Sequence, residues 1–220
     1  MNHSYIKMTQ LYHFYHIWVD GEIDLCKNII SDHIHALKIS GLYDELITLY
    51  IGIVGKDENR ELIKQFFTDL NIEYTLIIEA KTGYEQVTQN KLYEFSLLND
   101  GYVLYAHNKG AYSATALNAD WRKSMTYFNI IKWKEAIKHL DTVDAVGCHW
   151  LSKKEYPRCV NIPFFGGTFW WSNLSFIRNL GYPGNNSRFD AENWLGTDQN
   201  IKIYDLLPGW PDGSNFFTSW

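Results

Sequence analysis

Apolar positions in the first half of the chain switch between two rhythms. Leu11 to Val19 (LYHFYHIWV) is a run of aromatic and β-branched residues, the pattern of a buried strand. Asp20-Gly21-Glu22 interrupts it. Ile23, Cys26, Ile30, Ile34 and Leu37 then follow at the spacing of one helix face, and Gly41 suits the helix end. The alternation continues with a strand over Leu46 to Val54 and a helix over Asp57 to Leu70, whose inward residues are Leu62, Ile63, Phe66 and Phe67. A strand over Ile72 to Glu79 comes next, then a helix capped by Thr82 and running through Leu98, then a strand over Gly101 to Ala106. Strands alternating with helices at this spacing predict an α/β fold. Its open, mainly parallel, twisted sheet carries helices on both faces. Ligands of such sheets bind beyond the carboxyl ends of the strands. That directs attention to Asp20-Gly21-Glu22, Gly55-Lys56-Asp57, Glu79-Ala80-Lys81 and His107-Asn108-Lys109-Gly110.

The second half is less regular. One long helix is expected over Asp120 to Leu140 and a strand over Ala145 to Trp150. A loop from Leu151 to Arg158 carries Lys153, Lys154 and Arg158. Cys159 to Trp171 mixes strand residues with Pro163 and the pair Gly166-Gly167. Asn173 to Leu180 reads as a helix ended by Gly181, Asp190 to Leu195 as a helix start, and Ile201 to Leu207 as a last strand before a tail. With no internal repeat and no linker, residues 1–220 predict one domain, with a front half (1–110) and a rear half (111–220).

Composition narrows the classes. A net charge of −5 lacks the basic field of a nucleic-acid binder, although the Lys153 to Arg158 loop could form a local patch. Cys26, Cys148 and Cys159 are odd in number and form no C-x-x-C, so they predict reduced thiols rather than disulfides or a zinc site. Met1 to Gln10 is polar and no run of about 18 apolar residues occurs, so no leader, no membrane span and a cytoplasmic location are expected. Aromatic residues are abundant, at 9 Trp, 15 Tyr and 12 Phe. They fit either a ring-rich core or a pocket whose walls stack on a ligand.

G-x-G-x-x-G, G-x-x-x-x-G-K-[ST], G-x-S-x-G and H-E-x-x-H are all absent, which removes support for common dinucleotide, P-loop, hydrolase and zinc chemistry. Three constellations remain. His107 and Lys109 follow the fourth strand, where Lys109 could neutralise a phosphate and His107 could donate to one or ligate a metal. In Gly167-Thr168-Phe169-Trp170-Trp171, adjacent Trp residues on a strand point to opposite faces, one to the core and one towards a cleft. Asp190 and Glu192, two positions apart near a helix start, lie on different sides of the helix. Only one can enter a site, while the other holds the loop or caps the helix. Asp120 suits a helix cap, and Arg122 could reach a phosphate.

In this order the pieces resemble a glycosyltransferase of the GT-A type. More narrowly they resemble a viral and bacterial family with a strand-H-[TN]-K-G motif (Leu104 to Gly110), a W-R-x-x-M helix start (Trp121 to Met125), a G-[NT]-F-W-W strand (Gly167 to Trp171) and a [DA]-E-x-W segment (Asp190 to Trp194). Ser40-Gly41-Leu42-Tyr43 also fits. The resemblance implies transfer of a sugar from a nucleotide sugar, a UDP-sugar first, to a hydroxyl acceptor such as a glycan of a surface polysaccharide or glycoprotein. His107 and Lys109 are then expected at the diphosphate, with Arg122 in reach of it, while Trp18 and Asp20, by their position at the end of the first strand, are expected at the nucleoside of the donor. Glu192 becomes the base, with Asp190 as the second choice. The acceptor platform comprises Gly167, Thr168, Trp170, Trp171 and Trp194. Many such enzymes carry D-x-D after the fourth strand to hold Mn²⁺ or Mg²⁺. Here His107-Asn108-Lys109 stands there, so either Lys109 supplies the charge or His107 ligates a metal with help from elsewhere. Two other functions fit the same residues: transfer to a modified nucleic-acid base, and a carbohydrate- or nucleotide-binding module without catalysis.

Overall fold

The computed structural model describes residues 9–157, 160–185, 187–214 and 216. Arg158 and Cys159, singled out above, lie outside the described residues, as do most of Met1 to Gln10 and the end of the tail. The front half alternates as its pattern predicts. It contains β1 (Leu11–Trp18), α1 (Ile23–Ile39), α2 (Leu42–Glu45), β2 (Leu46–Val54), α3 (Asp57–Asp69), β3 (Thr75–Ala80), α4 (Gln86–Ser96) and β4 (Tyr102–His107). The rear half contains α5 (Ala116–Thr126), a π turn (Tyr127–Ile131), α6 (Trp133–Lys138), β5 (Ala145–Gly147), β6 (Trp150–Leu151), β7 (Phe164–Phe165), β8 (Trp170–Asn173), α7 (Leu174–Leu180), α8 (Phe189–Asn193) and β9 (Ile203–Asp205).

Seven strands form one sheet in the order β3-β2-β1-β4-β8-β5-β9, and β6 pairs with β7 separately. The first four run parallel, β8 is antiparallel to β4 and β5, and β9 is parallel to β5. Two apolar cores cover the two faces. Leu11, Tyr15 and Ile17 of β1 pack with Ile29 and Ile30 of α1, Ile63 of α3 and Met125 of α5. Tyr12 and Phe14 pack with Leu92 of α4 and with Leu174 and Ile177 of α7. Burial on both faces explains why β1 reads as a nearly unbroken apolar run.

Several boundaries differ from the pattern. The expected long helix from Asp120 to Leu140 starts earlier, at Ala116, and breaks at the π turn. There the Asn129 side chain donates to the Met125 carbonyl, and the Asn129 carbonyl accepts from the Trp171 indole at 2.8 Å. A side chain from β8 thus takes a carbonyl that a straight helix would use itself. Thr82 caps nothing, since α4 begins at Gln86. The strand expected through Trp150 stops at Gly147 because His149 adopts a left-handed backbone, φ 58°.

A polar ladder runs through the core. The His13 Nδ1–H donates to the Leu104 carbonyl at 3.0 Å, which leaves Nε2 as an acceptor, 2.7 Å from His33 Nε2. Tyr15 stacks on His33 with centroids 4.1 Å apart. On the opposite face of β1, His16 Nδ1 lies 2.8 Å from Thr88 Oγ1.

Candidate active site

Strand order reverses between β1 and β4, because β2 and β3 lie on one side of β1 and the later strands on the other. The carboxyl ends of these two strands part there and leave a crevice. Asn108 fastens them just beyond the last pair. Its Oδ1 accepts from the Trp18 amide at 2.9 Å, and its Nδ2 donates to the Trp18 carbonyl at 2.7 Å. The residue between the two candidate ligands His107 and Lys109 is therefore a clamp for the strand ends.

His107 is held on both nitrogens. Nε2–H donates to the Gly167 carbonyl at 3.0 Å, and Nδ1 lies 3.1 Å from Glu85 Oε1. Burial, the largest single influence, raises the Glu85 carboxyl, but the hydrogen bond and charge of His107, with His16 and a backbone bond, together outweigh it and take it down to about 2. A side chain at Gly167 would be strained. The glycine's φ is +85°, and a Cβ would lie 2.6 Å from Met125 Sδ. The backbone carbonyl that receives His107 depends on that close packing.

Lys109 projects over Trp121, with Nζ 3.6 Å from the ring centroid. Burial lowers its pKa to about 8, against the opposing pull of Glu192 and Glu85. The Lys109 carbonyl accepts from Arg122 Nη1 at 2.9 Å, so Arg122 braces the β4–α5 loop from below. Across from Lys109 stands Glu192 of α8. Burial, and next the Glu85 charge, raise its carboxyl, while Lys109, His107 and Arg188 oppose. Glu192 makes no hydrogen bond or ion pair among the described residues. Two amides from α4 hold α8 in place: Gln86 Nε2 donates to the Ser187 carbonyl, and Gln89 Nε2 to that of Ala191.

The two carboxylates of the Asp-x-Glu segment separate as helical geometry requires. Asp190 turns to the loop, where its oxygens accept from the Ser187 amide and hydroxyl at 3.1 and 3.2 Å. On the donor side, the half-buried Trp18 ring packs against Tyr112, 5.6 Å between centroids. Asp20 accepts from the Lys56 amide at 2.6 Å and so pins the β2–α3 loop.

The expected acceptor platform is corrected by burial. Trp170 stacks on Tyr105 within the core, Trp171 donates its indole N–H to Asn129, and Trp194 donates to the Gly181 carbonyl at 3.1 Å. All three are buried, as is Thr168, which takes a left-handed φ of 56°. None offers a face to a ligand. Adjacent Trp side chains do point to opposite faces, but helices cover both faces of this sheet, so both are interior.

Glu85 is a chemistry-bearing residue that none of the motifs contains, and Arg188, which opens the segment with Asp190 and Glu192, received no role from the sequence. Glu85 lies beyond β3, four residues after the inspected Glu79-Ala80-Lys81; its signal is an acidic residue at the N-cap of a helix at the sheet's carboxyl edge. Arg188 adjoins the Asp-x-Glu segment and registers on both Lys109 and Glu192. A divalent cation does not fit this donor set. At the D-x-D place His107 has both nitrogens engaged, the Asn108 amide is committed to Trp18, and Lys109 is a cation. Among the described residues no group of three or more His, Cys, Asp or Glu side chains could hold a metal.

A family model described as a domain of unknown function, DUF8361, matches residues 14–205. The chain belongs to the DUF8361 family. Among curated proteins, none matches. Among solved structures, this DUF8361 chain is similar to mannosyltransferase PcManGT from Pyrobaculum calidifontis, solved with GDP-Man and Mn²⁺. The identity is 14% and the TM-score 0.55, over 90% of this chain and 55% of that one. The chain thus spans about half the length of that mannosyltransferase. It is also similar to HddC from Yersinia pseudotuberculosis, at 9% identity and TM-score 0.52 over 91% of both chains. A third likeness is to a protein from Desulfovibrio desulfuricans G20 assigned as a nucleotide-diphospho-sugar transferase, at 11% identity and TM-score 0.50 over 91% and 81%. These likenesses establish a GT-A-like fold for the DUF8361 chain. Among the described residues no helix is long and apolar enough to cross a membrane.

Proposed function

We propose that this DUF8361 chain is a nucleotide-sugar-dependent glycosyltransferase that acts on a hydroxyl acceptor, with a glycan favoured as acceptor. The observation that carries this is a charge arrangement at the carboxyl end of β4. A buried cation, Lys109, lies beside an unpaired carboxylate, Glu192, whose proton affinity is raised. Glycosyl transfer asks for both. Glu192 takes the proton from the acceptor hydroxyl as the new C–O bond forms. The bond between the anomeric carbon and the diphosphate oxygen breaks, and the charge left on the nucleoside diphosphate falls to Lys109, with Arg188 near. Direct displacement of this kind inverts the anomeric centre. His107 acts through position: tied to Glu85 and to Gly167, it fixes the start of the loop that carries Lys109.

In this account the front half, residues 1–110, holds the nucleotide sugar, with Trp18 and Asp20 at the nucleoside, and residues 111–220 supply the acceptor side. Charge from Lys109 takes the place of a metal. Calorimetric titration with UDP, GDP and dTDP tests the donor site. One of them binds in EDTA and loses affinity in Lys109→Ala; no binding by any of the three contradicts the proposal.

A further inference from the structure

Two buried polar atoms on neighbouring rings have no partner among the described residues: Nε2 of His149 and Nε1 of Trp121, the ring that Lys109 covers. Their chemistry is complementary. The His149 Nδ1–H donates to the Gly209 carbonyl at 2.9 Å, so the neutral ring presents Nε2 as an acceptor. Burial, its largest influence, lowers the His149 pKa and favours that neutral ring. The indole N–H of Trp121 can only donate.

The structure holds His149 in place with unusual thoroughness. Its backbone is left-handed, φ 58°, a conformation that is strained in a non-glycine residue and clusters at functional sites. The His149 amide donates to the Leu207 carbonyl and to Asp205 Oδ1, and its own carbonyl accepts from the Gly166 amide at 2.8 Å. Asp205 also accepts from the amides of Trp150 and Leu207. Every polar atom of His149 is engaged except Nε2.

The Trp121 and His149 rings meet edge to face, with centroids 6.2 Å apart. A group that donates to the imidazole and accepts from the indole must carry both functions, which a hydroxyl does. Phe216 lies along Trp121 and meets His149 edge-on, 6.3 and 5.7 Å between centroids, and shields the pair from water. Lys109 sits on the same Trp121 ring.

We propose that Trp121 and His149 form a hydroxyl-binding subsite beside Lys109, one that takes a hydroxyl of the sugar carried by the nucleotide. This rests on the transferase proposal, and the two fail separately. The test compares UDP-glucose and GDP-mannose with UDP and GDP by calorimetry, on wild type, Trp121→Phe and His149→Asn. Phenylalanine keeps a ring under Lys109 but removes the N–H. Asparagine tolerates the left-handed backbone but removes the distant acceptor. Each variant is expected to bind the nucleotide sugar about 3- to 10-fold more weakly, as for one lost neutral hydrogen bond. Affinity for the bare diphosphate stays as in wild type. If His149→Asn does not fold, Trp121→Phe decides alone. Unchanged nucleotide-sugar affinity, as when an ordered water serves the pair, overturns the subsite. Equal weakening for sugar-bearing and bare nucleotides also overturns it. If wild type binds neither class, the transferase proposal falls and this one with it.

Discussion

Asn108 reaches from the end of β4 and bonds twice to the backbone of Trp18 at the end of β1. It extends the ladder by one side-chain rung at the point where the strands part. Asn108→Ala leaves the Trp18 amide without its side-chain partner and its carbonyl with only the weak Cys26 thiol donor at 3.6 Å, at a cost of about 1–3 kcal/mol. Asn108→Asp puts a carboxylate against the Trp18 carbonyl and is expected to cost at least as much. Urea denaturation reads both; a midpoint within error of wild type for Asn108→Ala would show that the clamp carries no stability.

Lys109 is the cation expected at the diphosphate, and its pKa near 8 gives that role a pH signature. The charged form prevails below that value. Affinity for a nucleoside diphosphate should therefore hold at neutral pH and fall as pH rises through about 8, with up to tenfold lost per unit. Lys109→Ala should bind weakly at every pH, without that step. A wild-type affinity that stays flat across the interval assigns the diphosphate to another group.

For Glu192, the prediction separates binding from chemistry. Glu192→Gln keeps the shape and removes the base, so turnover should drop about 10²-fold or more while donor affinity stays within a few-fold. In wild type the same carboxylate must be ionised, so turnover rises with pH through its raised pKa and declines again as Lys109 loses its proton. Near-normal turnover by Glu192→Gln would remove Glu192 from the mechanism. Asp190, committed to Ser187, should affect folding of the 181–187 loop more than the chemical step.

Acid should destabilise the core through its histidines. Burial, the largest cause for each, takes His13 and His16 down to about 4 and His33 well below its usual value of 6.5. The unfolded chain gains these protons near pH 6.5 while the native state does not. Stability is therefore full above about 6.5 and is lost as pH falls towards 4, by up to about 1.4 kcal/mol per pH unit for each histidine. Melting temperature measured across that window checks the sign. A flat profile would mean that the His13–His33 pair accepts a shared proton without cost.

The βα alternation of the front half was legible because β1, β4 and the end of β2 are buried on both faces while α1 and α3 bury one, so the two periodicities stand out. The sheet's carboxyl edge followed from that alternation and led directly to His107-Asn108-Lys109. What the edge residues do was less visible. Asn108 and His107 carry ligand chemistry, yet their partners, Trp18, Glu85 and Gly167, are distant in sequence and only folding brings them together. Trp170, Trp171 and Trp194 misled for a related reason: ring content cannot tell a platform from a core when β8 sits inside the sheet. His149 was hidden within an expected strand, and nothing local marks its left-handed turn. The Asp190–Glu192 pair divided as helix geometry requires, but which residue turned inwards depended on Gln86 and Gln89 of α4.

The central claim is that this chain transfers a sugar from a nucleotide sugar with Lys109, rather than a metal, facing the diphosphate. The direct measurement is product analysis for UDP-, GDP- and dTDP-sugars incubated with the protein in EDTA, with and without glycan acceptors. The account predicts that one donor is consumed and releases its nucleoside diphosphate, and that Glu192→Gln slows this release about 10²-fold or more and Lys109→Ala weakens it through lost donor binding. Consumption of no donor, release of pyrophosphate in place of the diphosphate, or activity only after Mn²⁺ or Mg²⁺ is restored would contradict it.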